Sequence, residues 1–255
     1  MTVTARDEHR RGREIPGDDG PPHELPLVMM ALGPFALGYF LSYVFRAVNA
    51  VVEQDLVREI GLSPSELGFM TAAYLGAFAL VQLPLGVLLD RYGPRRVQTA
   101  LMLIAAVGAL LFAFASDGTM LTIARALIGL GVAGGLMSGF KSVVLWVSEP
   151  RRALANSIVM SAGAVGLLVA TRPIQEATEL LGWRQVFLIL AGLTFLVALA
   201  IFLVVPEKQR TAGSESLGRQ VGDILRIFRD PAIISMAPLL ATTAGVHVAI
   251  QTLWA

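Results

Sequence analysis

Long apolar runs dominate the chain after residue 24. Six runs contain no Asp, Glu, Lys or Arg, and they cover residues 25–45, 67–89, 97–116, 153–171, 185–206 and 232–255. A seventh run, residues 118–148, contains Arg125 and Lys141. Because a helix needs about 20 apolar residues to cross a bilayer core, this pattern predicts seven membrane-spanning helices. The runs are continuous and lack the alternation of a membrane β-strand, so the predicted fold class is an all-α polytopic membrane helix bundle.

Composition supports a membrane protein and excludes several function classes. Hydrophobic residues make up 55% of the chain and charged residues 15%, whereas soluble domains carry about 25% charged residues. The chain has no Cys, which excludes disulfides and zinc–thiolate sites. No metal-ligand cluster, catalytic constellation or basic, aromatic-rich surface for nucleic acid is recognisable. We therefore expect a protein that is not an enzyme and that uses no cofactor, metal or nucleic acid.

The polar segments divide the chain and orient it. Residues 1–24 are polar without apolar periodicity, which predicts a disordered tail; residues 25–206 form a six-helix bundle. Residues 207–231 form a charged linker with a short amphipathic helix, and residues 232–255 form a seventh helix. The tail and the loops on its side hold nearly all Lys and Arg, while the other side holds Arg58 and Arg184. The positive-inside rule then predicts a cytoplasmic N-terminus in the cytoplasmic (inner) membrane.

Two motifs carry a resemblance to a known family. Gly86, Asp90, Arg91, Gly93 and Arg95 resemble the signature of the major facilitator superfamily in the loop between its second and third helices. Residues 121–133 resemble the superfamily's fourth-helix motif around an arginine, and residues 182–184, Gly-Trp-Arg, resemble the start of its sixth helix. The resemblance implies a secondary transporter that works by alternating access, with the loop residues as a conformational latch. The other interpretation of the loop is topological, a basic turn built around a glycine.

The chain resembles only part of such a transporter, namely its first six helices, the interdomain linker and helix 7. A weaker likeness to the organic-anion symporter branch rests on Arg46 and Asn49, although Phe45 and Val132 stand where that branch has acids. The expected function is secondary transport of a small anion, with a proton or sodium ion as a possible coupling partner. The alternative is a truncated, non-transporting membrane protein that acts as a sensor or assembly partner.

The candidate substrate-binding residues are the charged and polar side chains inside the predicted helices. The charges expected in the outer third of the bilayer are all arginines, which favours an electropositive cavity for an anion; the alternative is that their side chains reach the outer interface. Polar stripes at helical spacing extend this face, or they hold helices together by hydrogen bonds. The candidates are Tyr39, Tyr43, Arg46, Asn49, Tyr74, Gln82, Arg125, Arg172, His247 and Gln251.

Overall fold

The computed structural model describes residues 24–206, with side chains from Met30 onward, and seven helical residues between positions 235 and 246. The predicted tail apart from Glu24, the linker 207–231, His247 and Gln251 lie outside the described residues. The domain boundaries predicted there stay predictions.

The described part of the chain is a bundle of α-helices without a β-strand, which confirms the predicted fold class. A short 3-10 helix, Glu149–Arg151, precedes α5. The helices are α1 (Glu24–Ile60), α2 (Pro64–Ala113), α3 (Gly118–Val132), α4 (Gly135–Trp146), α5 (Arg152–Val169), α6 (Arg172–Leu181) and α7 (Trp183–Val204).

Helix α2 contains two of the predicted spans. It has 50 residues, a path of about 75 Å, which is more than twice the roughly 30 Å of a bilayer core. Its one non-helical residue is Gly93, with φ 76° and ψ 157°, a region that glycine enters without steric cost. Pro94 follows as the start of the next helical segment, a position that suits its fixed φ. The predicted loop 90–96 is thus reduced to a turn at Gly93.

Contacts with α3 and α4 show that the chain reverses at this turn. In the first segment of α2, Gln82 contacts Ala133 and Asp90 contacts Lys141. The first segment of α2 therefore runs in the same direction as α3 and α4. In the second segment, Gly108 lies nearest residues 124–128, whereas the earlier residue Ala105 lies against residue 131. The second segment of α2 therefore runs in the direction opposite to α3. Five described helical stretches, one of which joins α3 and α4, are long and apolar enough to cross a membrane, and the reversal in α2 makes six crossings.

The crossings place the turns at two ends of the bundle. The Gly61 end contains the turns at Gly61 and Asp117 and the start of α7; Asp117 caps α3 by accepting a hydrogen bond from the Met120 amide at 2.9 Å. The Gly93 end contains the Gly93 turn and the 3-10 helix. The predicted fifth span, residues 153–171, corresponds to α5, and the chain breaks after it before α6 begins at Arg172.

Glycines on α3 allow the helices to touch backbone to backbone. A Cβ on Gly129 would collide with the carbonyl group of Tyr74, and one on Gly131 would collide with the backbone at residues 101 and 105. Small residues permit this close approach between membrane helices. Gly129 therefore determines how near α2 and the Tyr74 ring come to the neighbouring Arg125.

Replacing Gly129 by alanine is expected to lower the melting temperature of the purified protein by about 3–10 °C, because overpacking costs about 1–3 kcal/mol. The matched control is Gly192→Ala on α7, where an added Cβ meets nothing within 4 Å. Thermal unfolding in detergent measures both variants. Equal melting temperatures for the two would show that the α2–α3 contact tolerates a methyl group.

Candidate substrate site

The first part of the candidate site lies on α1. Four of the predicted residues share one face of this helix, namely Tyr39, Tyr43, Arg46 and Asn49. The hydroxyl of Tyr39 lies 3.3 Å from that of Tyr43, and their rings meet edge to face. The Arg46 guanidinium carbon lies 5.1 Å from the centre of the Tyr43 ring and 5.4 Å from that of Phe78 on α2. Arg46 is half-buried and is held between two aromatic rings, an arrangement that stabilises a cation.

The second part lies on α2 and α3, directly behind the first. Arg125 is 1% exposed. Its Nη1 donates a hydrogen bond to the Phe45 carbonyl at 2.9 Å, and its guanidinium carbon lies 4.5 Å from the centre of the Tyr74 ring. Tyr74 stacks on Phe78 and lies within electrostatic range of both Arg46 and Arg125. Tyr74 therefore separates the two arginines and covers Arg125.

These residues form what we call the arginine site, and its charge is not balanced within the described part of the chain. Neither Arg46 nor Arg125 is among the residues that form ion pairs there. Buried polar atoms of the site also lack a hydrogen-bond partner among the described residues, namely Arg46 Nε, Asn49 Oδ1 and Arg125 Nε. A buried cation without a counter-charge is costly. The members of the arginine site are Tyr43, Arg46, Asn49, Tyr74, Phe78 and Arg125.

Two of the predicted residues, one of them a member of the arginine site, also serve contacts between helices. Asn49 Nδ2 lies 3.5 Å from Thr71 Oγ1 and so joins α1 to α2. Gln82 Nε2 donates to the Ala133 carbonyl at 3.0 Å, where the chain passes from α3 to α4 and a carbonyl group is available. The amide of Gln82 is thus used at the helix break.

Arg172 is not part of the arginine site. It begins α6, its side chain is 86% exposed, and its Nε lies 3.5 Å from Glu176 Oε1. The break between α5 and α6 at Thr171, where ψ is −112°, carries the residue to the surface. The predicted group of three arginines is therefore reduced to Arg46 and Arg125.

The predicted latch residues lie at the Gly93 end, and the structure adds a partner to them. Lys141 Nζ on α4 lies 2.6 Å from Asp90 Oδ1, a contact that the sequence did not reveal, because the two residues are 51 positions apart. The pair borders a groove of about 350 Å³ that Gly86 also lines. Among the basic residues, Arg91 lies over the Tyr92 ring and Arg95 over the Phe202 ring.

A second unforeseen contact joins the helices at the Gly61 end. Glu59 Oε2 accepts hydrogen bonds from Trp183 Nε1, at 3.0 Å, and from Arg184 Nη1. Arg184 also approaches the Ala115 carbonyl at 3.5 Å. The motif Gly-Trp-Arg pointed to Trp183 and Arg184, but Glu59 lies beyond the apolar run from which the first span was predicted. The contact ties α1, α7 and the turn before α3 together.

Gln98 is a further residue that sequence reasoning missed. Its side chain is fully buried between Gly38 and Gly134, and both of its amide atoms lack a hydrogen-bond partner among the described residues. The available signal was a single polar residue near the start of an apolar run. No group of three or more His, Asp or Glu that could hold a metal ion occurs in the described residues.

Comparison with known proteins gives consistent relatives. Similar proteins include a probable sulfoacetate transporter of Cupriavidus necator, 30% identical over 74% of this chain and 44% of the relative. A D-galactonate transporter of Escherichia coli is 30% identical over 68% of this chain and 40% of the relative, and a probable galactarate/D-glucarate transporter of Escherichia coli is 28% identical over 68% and 40%. The chain thus spans less than half the length of these relatives.

Solved structures show the same fold. A bacterial homologue of the human lysosomal transporter Spinster, in an inward-facing and unoccupied conformation, matches with a TM-score of 0.67 at 18% identity, over 91% of this chain and 55% of that chain. The relatives are transporters and not enzymes, which confirms the predicted non-enzymatic class. The family profile of the Major Facilitator Superfamily matches residues 35–254. The chain is a multi-pass membrane protein and belongs to the major facilitator superfamily.

Proposed function

We propose that the protein carries a small organic anion across the cytoplasmic membrane by alternating access, with residues 25–206 as one of the two halves that move around a central site. The observation that carries the proposal is the arginine site, where two guanidinium groups lie together without a carboxylate among the described residues. An anion supplies the missing charge. The names of the relatives, which include sulfoacetate, galactonate and glucarate transporters, support the same substrate class.

The two arginines have different roles in this proposal. Arg46 is half-buried and contacts the anion directly, because guanidinium groups bind carboxylate and sulfonate oxygens through parallel hydrogen bonds. Arg125 is enclosed behind the Tyr74 ring and contributes positive charge from behind. Tyr39 and Tyr43 provide hydroxyl groups on the same face of α1.

Competition for uptake tests the substrate class. We expect cells that express the full-length protein to take up labelled sulfoacetate or D-galactonate. Unlabelled carboxylates and sulfonates should reduce this uptake by competing for the arginine site, because the site attracts negative charge. Neutral sugars and organic cations of similar size leave the uptake unchanged. Transport of a neutral or cationic solute in place of the anions would contradict the proposal.

The proposed orientation has a cytoplasmic N-terminus, which places the Gly93 end in the cytoplasm. A phosphatase reporter that is active only outside the cytoplasm is expected to be inactive when fused after Arg96 and active when fused after Asp117. We expect this pattern because Lys and Arg are concentrated near the Gly93 end and basic loops stay on the cytoplasmic side of a membrane. The reverse pattern of reporter activity would invert the orientation.

A further inference from the structure

We propose that the protein works as an anion exchanger, which releases one small organic anion only as it takes up another. This inference rests on the anion transport proposed above and adds how that transport is driven. It replaces the symport with a proton or sodium ion that the resemblance suggests. The observations that carry it are the charge of the arginine site and the distance of that site from the carboxylates of the described residues.

The arginine site holds two positive charges that its own residues do not neutralise. Arg125 has one hydrogen bond to a backbone carbonyl and one contact with an aromatic ring, and its Nε has no partner. Arg46 has two aromatic rings and an Nε without a partner. Carbonyl groups and rings stabilise a cation only in part. An anion in the site is therefore the component that neutralises it.

The described helices bring no group that could replace the anion by losing a proton. The side chains beside the arginines on α1 and α2 that carry an ionisable group are Tyr39, Tyr43 and Tyr74, and none of them is a carboxylate. The nearest acid along α1 is Glu53, seven residues from Arg46 and exposed, about 10 Å farther along the helix axis.

Charged groups on the other packed helices are either engaged elsewhere or placed at helix ends. Lys141 on α4 pairs with Asp90, and Arg184 on α7 pairs with Glu59. The two acids of α6 are exposed: Glu176 pairs with Arg172, and Glu179 accepts a hydrogen bond from Gln175. Arg125 is the only charged residue in the sequence of α3. The acids of α2 lie close to its termini or to the turn at Gly93, at positions 66 and 90.

The energetic consequence concerns the empty carrier. In alternating access the site passes through a state that is closed on both sides, where water no longer shields its charges. A bound anion cancels one or two of these positive charges, according to its own charge. Without an anion, the two cations of this half are enclosed in a medium of low dielectric constant, where the described residues bring no carboxylate to them, and this is unfavourable. The loaded carrier therefore crosses readily in both directions and the empty carrier crosses slowly, which is the behaviour of an exchanger.

Proteoliposomes with the full-length protein test the exchange. We expect labelled sulfoacetate or D-galactonate to enter vesicles preloaded with the same unlabelled anion at least tenfold faster than empty vesicles. An acid-outside pH gradient or a sodium gradient is expected to change uptake into empty vesicles less than twofold. Equal rates in empty and preloaded vesicles, or strong stimulation by either gradient, would overturn exchange while leaving anion transport intact. No uptake of either anion under any condition would overturn the proposed function and this inference with it.

An isosteric pair of variants tests the physical cause. Asn49→Asp places a carboxylate one helical turn from Arg46, at a side chain whose Oδ1 has no partner. We expect it to raise uptake into empty vesicles severalfold, to make that uptake respond to the pH gradient and to reduce the advantage of preloading. Asn156→Asp is the control, because it adds the same charge near the start of α5 at the Gly93 end and should keep the wild-type ratio. Equal ratios for both variants and the wild type would show that the charge of the arginine site does not limit the empty carrier.

Discussion

Replacing Arg46 by glutamine is expected to reduce anion uptake by the full-length protein about 100-fold. Arg46 is the half-buried cation of the arginine site, and a glutamine at this position can donate a hydrogen bond but carries no positive charge. Hydrogen bonds to a charged group contribute about 1.5–3 kcal/mol each, and 1.4 kcal/mol corresponds to a tenfold change in affinity. The loss of two such bonds at the lower end of this range accounts for the expected effect, which a concentration series of labelled anion measures.

Arg46→Lys separates the charge of the side chain from its shape. A lysine keeps the charge but lacks the planar group that binds two oxygens in parallel, so we expect recovery of part of the lost uptake. The matched control is Arg58→Gln, also on α1, whose side chain is 76% exposed and 3.8 Å from Asp55. Wild-type uptake by Arg46→Gln, with normal amounts of protein in the membrane, would remove Arg46 from the substrate site.

Replacing Asp90 by asparagine is expected to slow transport about tenfold while leaving membrane insertion and thermal stability close to those of the wild type. The Asp90 and Lys141 side chains are 61% and 38% exposed, and exposed ion pairs contribute about 0–1 kcal/mol to folding. The pair joins the Gly93 turn to α4. Its loss should therefore change the balance between conformations more than the stability of the fold.

The structure makes this latch hypothesis testable from both sides. Lys141→Met should slow transport as much as Asp90→Asn, and the double variant should be no slower than either single variant, because the two residues act as one pair. Arg172→Gln serves as the control, since it disrupts the exposed contact with Glu176. Normal transport by both single variants would exclude the pair from the conformational cycle, and a large loss of melting temperature would make its role structural.

Much of the architecture follows from the sequence because hydropathy reports how deep a segment lies in the membrane. The apolar runs predicted the membrane crossings of the described residues, and the charged segment between the second and third runs predicted the reversal that divides α2. The motif around Asp90 predicted the superfamily, which the comparisons confirm. Helical spacing also placed Tyr39, Tyr43 and Arg46 on one face of α1, as the ring contacts in the structure show.

Tertiary packing decided which neighbouring helix each helix face meets and which residues of distant helices come into contact. Asp90 and Lys141 are 51 residues apart, and Glu59 and Trp183 are 124 residues apart, so no local spacing relates them. The position of Tyr74 over Arg125 depends on how closely Gly129 lets α2 approach α3. Arg172 left the predicted group of arginines because the chain breaks between α5 and α6. Sequence periodicity therefore determined which residues could face the interior. Only the packing of backbones at glycines determined which of these residues meet, because membrane helices associate through close van der Waals contact and not through a hydrophobic pattern.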